Sequence, residues 1–254
     1  CHPVTWPIHA DGAFVGVYDR RRQLIYRFER GEDHGASRAE VSVAPGTLRV
    51  NVAVGDRPLP PAVQTALEST ITLLLDLGHS VQHAEPAPSW TRVAEECLLE
   101  MAMPGLATFL ETLPDEHHLD PLLVGMAERT MRTSAERHGL ARAALLAKAR
   151  TATEFFSNVD VLLCPTVAKP PPLIGQHREL PFAELIDLWE TYVPFTQMWN
   201  WTGQPALSLP VGLDENSLPI GMQFVGRPYA EATLVRLASQ IESARPFSGV
   251  PPIK

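Results

Sequence analysis

Lysine is almost missing from this chain: of 254 residues only Lys148, Lys169 and Lys254 carry an amine. Cysteine is equally sparse. Cys1, Cys97 and Cys164 are far apart and odd in number, which argues against a disulfide framework and fits a reducing cytoplasm. No Cys-x-x-Cys pair occurs. His79 and His83 fall in "GHSVQHAEP", which reads as a strand; there they would share a face about 13 Å apart, too far for one metal ion. No metal or cofactor is therefore expected. No run of about 18 apolar residues exists, so no membrane span is indicated. The N-terminus has no basic segment leading into an apolar one, so no signal peptide is read. The net charge of -8 argues against a nucleic-acid partner; the densest basic run, "DRRRQ" at 19–23, reads as a solvated loop.

What is present is an ordinary globular balance, 45% hydrophobic and 20% charged, enough for one large domain or two small ones. "TLRVNVAV" (47–54) alternates as a strand does. "PPAVQTALESTITLLLDLG" (60–78) recurs at helical spacing, with prolines at its start and Gly78 at its end. "HSVQHAEP" (79–86) reads as a second strand, which makes a βαβ unit with a parallel pair. Helices are expected over 89–113, with a break at Pro104, and over 120–140 and 141–158. "VDVLLCP" (159–165) is a continuous apolar run, as a strand buried on both faces shows. Helix is expected over 181–200, strands at "PALSLPVG" (205–212) and "PIGMQFVG" (219–226), and a closing helix over 230–246. The fold class is α/β: a mixed, mostly parallel sheet flanked by helices.

Several motifs follow one another in the second half. "VDVLLCPT" is followed by "FTQMWNWTGQPALSLPVG" (195–212) and then "PIGMQFVGRPYAEATLVRLASQIE". This ordered set resembles the C-terminal region of the amidase signature hydrolases. "GTLRVNVAV" and the helix after it are similar to the same family further upstream. The resemblance covers residues 44–246, and residues 3–19 faintly resemble a family helix; residues 20–43 match nothing. The domain reading is thus an unassigned segment, 1–43, before an incomplete amidase-type domain, 44–254.

The resemblance implies hydrolysis of carbon–nitrogen amide bonds by a Ser–cis-Ser–Lys triad, with the tetrahedral oxyanion held by backbone amides of a Gly/Ser-rich loop. A buried lysine works as base only if burial lowers its pKa. Those parts are not found here. The chain has no Gly-Gly dipeptide and no lysine before Lys148, and Lys169 lies in a different motif. The chain therefore reads as a C-terminal half beginning downstream of the nucleophile, with no catalytic residue of its own and no turnover alone.

The resemblance also implies which residues approach the amide substrate: Thr166 after the buried strand, and Trp199, Asn200 and Thr202 in the Asn-x-Thr-Gly segment, with Cys164 nearby. Structural bracing is the competing role for each, as Asn near a Gly turn often bonds its own backbone. Trp199 and Trp201, if extended, would face the same side and form an aromatic wall. Gln223 would donate its amide toward the cleft or face solvent. Ser208 lacks the nucleophile-elbow pattern. Asp160 reads as a turn residue. Two rival functions remain: a non-catalytic scaffold or binding subunit that completes a partner chain, or self-associates, through an exposed sheet edge, and an N-terminal nucleophile hydrolase using Cys1.

Overall fold

The computed structural model describes residues 5–10, 13–19, 24–30, 36–41, 46–54, 58–84, 112, 121–177 and 179–247. The N-terminal segment holds four strands, β1 (Thr5–Ala10), β2 (Ala13–Asp19), β3 (Leu24–Arg30) and β4 (Ala36–Val41). They pair antiparallel in sequence order. The faint likeness of residues 3–19 to a helix is thereby corrected. Trp6, Ile8, Phe14, Val15, Val17 and Tyr18 are aromatic or β-branched, and such residues favour a pleated strand over a helix.

The second sheet contains the core. It begins with β5 (Arg49–Val52), α1 (Pro61–Asp76) and β6 (Ser80–His83). β5 and β6 run parallel, as the βαβ reading expected. Pro61 opens α1, where its missing N–H costs nothing. Gly78, at φ 85, closes it. The Gly78 N–H donates to Leu75 O at 2.9 Å and the His79 N–H to Leu74 O at 3.0 Å, a Schellman closure.

The span 89–113, with its expected break at Pro104, lies outside the described residues apart from Thr112. Next come α2 (Pro121–Met131) and α3 (Ala135–Phe155). The boundary expected after Leu140 is corrected to Arg132–Ser134. Ser134 accepts the Arg137 N–H at 3.2 Å and starts α3. Gly139 then lies inside the helix, where it costs about 1 kcal/mol relative to alanine, less than enough to end it.

β7 (Val161–Pro165) follows, buried at every position. Helix α4 (Phe182–Tyr192) and the short α5 (Gln197–Thr202) come next. Helix was expected to run unbroken from 181 to 200. Pro194 interrupts it, because proline disfavours helical backbone in the residue before it. The chain ends in a hairpin of β8 (Ala206–Leu213) and β9 (Pro219–Gly226), then α6 (Glu231–Ala244).

The strand order is β6-β5-β7-β9-β8. β7 pairs parallel with β5 and antiparallel with β9, and β9 pairs antiparallel with β8. The sheet is mixed, with helices on both faces. On one face Val50, Val52, Val161, Leu163, Met222 and Phe224 pack against α1 and α6 through Leu67, Leu74, Leu234 and Leu237. On the other, Leu162 and Val225 meet α3 and α5 through Phe156, Met198 and Trp199. Each fully buried side chain of this kind contributes about 1.5–3 kcal/mol. Covering on both faces is why β7 is continuously apolar rather than alternating.

Candidate active-site wall

Thr166, Cys164 and Gln223 gather around the C-terminal end of β7, whereas α5 carries Trp199, Asn200 and Thr202 toward the other end of the strand. Trp199 packs with Phe156, Leu162 and Val225, and just beyond Gly203 the Pro205 carbonyl accepts the Gly226 N–H, opposite Val161. Thr166 is the first residue beyond the strand. Its N–H donates to Gly221 O at 2.9 Å, and its Oγ1 lies 2.6 Å from Ser208 Oγ. Gly221 makes that hydroxyl pair possible. A Cβ at Gly221 would stand 3.0 Å from both hydroxyl oxygens, tighter than packed atoms normally allow. Ser208 is exposed on β8, opposite Gln223.

Cys164 and Gln223 face each other across β7 and β9. Gln223 is buried, 5% exposed. It faces neither solvent nor an open cleft: its Nε2 donates to Phe195 O at 2.8 Å and to Cys164 Sγ at 3.2 Å. The Phe195 carbonyl belongs to the turn between α4 and α5, so Gln223 pins that turn to the sheet. Burial pushes the Cys164 thiol up to about 12, against a smaller opposing pull from the Gln223 hydrogen bond. Near neutrality it is a protonated, buried thiol, and only the thiolate is nucleophilic.

The three candidates between 199 and 202 lie on α5, not in a loop, and the extended reading of the two tryptophans is corrected. In a helix, residues two apart do not share a face. The cause is local: Gly203 at φ 79 ends α5, with its N–H on Trp199 O at 3.0 Å. Trp199 is buried and packs edge-on against Phe156, centroids 6.0 Å apart. Trp201 lies partly buried against the same cluster. Asn200 is exposed. The Thr202 hydroxyl donates back to Met198 O at 2.9 Å, or to Gln204 Oε1.

Other residues have larger parts than their sequence suggested. Asp160, read as a turn residue, clamps the opposite end of β7. It accepts from the Arg49 N–H at 2.8 Å and the Arg49 guanidinium at 3.2 Å, and pairs with Arg227 at 3.4 Å. Burial alone would raise its carboxyl, but the hydrogen bonds and charges of Arg49, with the charge of Arg227, hold it below the ordinary carboxylate range. His79 ties three elements together. Its Nδ1 accepts the Leu48 N–H at 3.2 Å, so the ring proton is on Nε2, 2.8 Å from Gln240 Oε1 on α6. No local pattern marks these roles, because each partner is distant in sequence. Beyond Thr166 the chain turns along α4 and opens an apolar cleft of about 390 Å³.

Among the described residues no group of three His, Cys, Asp or Glu side chains could hold a metal ion. Among them, too, no helix is long and apolar enough to cross a membrane. Cys1 and Cys97 lie outside the described residues.

A family model described as "Amidase" matches residues 25–235. AmiC, an amidase-family protein of Mycobacterium bovis, is 32% identical over 218 residues, which is 82% of this chain and 46% of that protein. AmiB2 of Mycobacterium tuberculosis is 33% identical over 209 residues, 80% of this chain and 45% of that protein. The chain thus spans about half the length of the curated relatives it matches. Among solved structures, 6-aminohexanoate cyclic dimer hydrolase superposes with a TM-score of 0.70 at 26% identity, covering 83% of this chain and 47% of that one. A bacterial aryl acylamidase shares the fold, with a TM-score of 0.61 at 17% identity over 79% of this chain and 44% of its own.

Proposed function

The chain belongs to the amidase signature family, and on that premise we propose that it is the C-terminal part of a hydrolase of amide carbon–nitrogen bonds. Residues 44–254 supply one wall of the substrate cleft, and the reacting serines and lysine come from sequence outside it. The observation that carries this reading is chemical. At the end of β7 the hydroxyls of Thr166 and Ser208 are bonded to each other, and no amine, imidazole or carboxylate among the described residues is hydrogen-bonded to either. Cys164 is held as a thiol, and the Lys169 amine rests on Thr191. Each local candidate for nucleophile therefore lacks a base or an ionised state. Thr166 contacts the amide from this wall, and Gln223 and Cys164 hold the wall in place. Trp199, Asn200 and Thr202, carried by α5 toward the other end of β7, belong to the scaffold behind it.

The test is hydrolysis of a simple aryl amide. The purified chain is expected to show none, and mixing with the N-terminal half of a family relative is expected to restore it. Turnover by the chain alone, abolished by one substitution within it, overturns the proposal.

A second reading is a non-catalytic subunit that completes a separate partner chain. It is favoured by the exposed positions Ala206, Ser208 and Pro210 on β8, an edge strand of the sheet, since an uncovered edge invites pairing. Light scattering that finds a monomer, alone and with the complementary half present, removes it.

A further inference from the structure

The cleft beyond Thr166 has a chemistry that the amide reading does not use. Its floor and sides are Val167, Pro171, Leu185 and Leu188. The Ala168 N–H donates to Tyr192 O at 2.9 Å, which pins the segment after β7 to the end of α4 and shapes the opening. Its volume of about 390 Å³ lies in the range of small-molecule sites.

The polar groups on this apolar wall are few. Lys169 Nζ donates to Thr191 Oγ1 at 3.0 Å, and the Thr191 hydroxyl spends its own proton on Leu188 O at 2.6 Å. The ammonium also stands 5.6 Å from the Tyr192 ring centroid, within cation–π range. Three N–H donors on Lys169 thus meet one hydrogen-bond acceptor and one ring face, and among the described residues no carboxylate pairs with it. His177, also on the wall, has its Nε2 buried without a hydrogen-bond partner. Among the described residues no acidic side chain lines the cleft.

The geometry points to a binding site for a small carboxylate with an apolar body, whose carboxylate meets the Lys169 ammonium while its chain or ring fills the cleft. A charge-assisted bond of this kind discriminates strongly between an ionised and a neutral end group. The inference stands apart from the amidase reading, because binding of a free acid needs no catalytic serine.

Isothermal titration of the chain with hexanoate, hexanol and hexylamine tests it. Hexanoate is expected to bind tightest and hexylamine weakest. Lys169→Met should weaken hexanoate about tenfold, the loss of one charged hydrogen bond, and leave hexanol unchanged. Lys148→Met on α3 controls for net charge and should change neither. Lys169 is exposed, so the variant folds. Equal affinity for hexanoate and hexanol, an unaffected Lys169→Met, an equal loss in Lys148→Met, or no hexanoate binding at millimolar concentration each overturns the proposal.

Discussion

Replacing Gln223 by leucine separates a bracing role from an incidental one. The side chain is 5% exposed and donates to two acceptors, Phe195 O at 2.8 Å and Cys164 Sγ at 3.2 Å. Sulfur is a weak acceptor, so that loss is small. The Phe195 carbonyl is different, because a buried acceptor stripped of its donor costs about 1–3 kcal/mol. Leucine is easier to bury than an amide and returns part of this. The net loss expected is about 1–2 kcal/mol, read as a shift in urea midpoint at constant slope. Gln223→Glu should be worse at neutral pH, since a buried carboxylate faces the carbonyl as a second acceptor and carries an unpaired charge. That variant has a carboxyl whose folded pKa is raised above its unfolded value. Its penalty therefore shrinks as pH falls and the protonated acid becomes a donor. Gln223→Leu within about 0.3 kcal/mol of the parent, or Gln223→Glu milder than leucine at neutral pH, refutes the reasoning; both limits are set against the size of the lost bond.

Three further outcomes follow from the same geometry. Cys164, with its thiol pushed up to about 12 by burial, should resist alkylation at mildly alkaline pH in the native state and react fully in urea; fast native reaction counts against the site as described. Gly221→Ala places a methyl 3.0 Å from both Thr166 Oγ1 and Ser208 Oγ and should cost about 1–2 kcal/mol by overpacking. Adding Ser208→Ala should return part of that loss in a denaturation series. For Asp160, held below the ordinary carboxylate range despite its burial, the stabilisation is present above the unfolded carboxyl pKa and lost as pH falls through the lower folded value. The stability gap between parent and Asp160→Asn should accordingly close in acid, and a gap constant with pH would contradict the ion pairing.

Much of the second sheet was legible because its signals are local. The prolines before α1, the glycine after it and the unbroken apolar run of β7 each act within one element, and each appears where expected. α5 was less legible. Six residues are too few for a helical period to show, and two tryptophans two apart match strand spacing equally well. The hairpin strands of residues 5–41 were passed over although their aromatic and β-branched content favours strands; no motif drew attention to them. Among the site residues, Thr166 could be found because it ends a strand whose burial was evident. The environment of Gln223 could not. It depends on β9 pairing with β7 and on a carbonyl from the turn before α5, neither of which is written near residue 223. Asp160 is the same case: its partner Arg49 lies 111 positions away.

The arrangement of these bonds bears on how the wall would work. Thr166 is tied to Ser208 and Gln223 to Phe195, so the polar groups at the end of β7 are already positioned before any ligand arrives. A wall built this way loses little conformational entropy on binding, which favours affinity and orientation. Orientation alone does not break an amide bond. An activated nucleophile and an oxyanion site are also needed, and the groups nearest to hand, a thiol pushed up to about 12 and an amine resting on Thr191, supply neither. The two properties should therefore separate in one preparation. The purified chain should bind a small apolar carboxylate through Lys169 with no amide turnover, and supplying the complementary half should add turnover without abolishing the dependence on Lys169. If adding that half instead removes the Lys169 dependence, the cleft is remodelled on assembly, and the wall is not preformed.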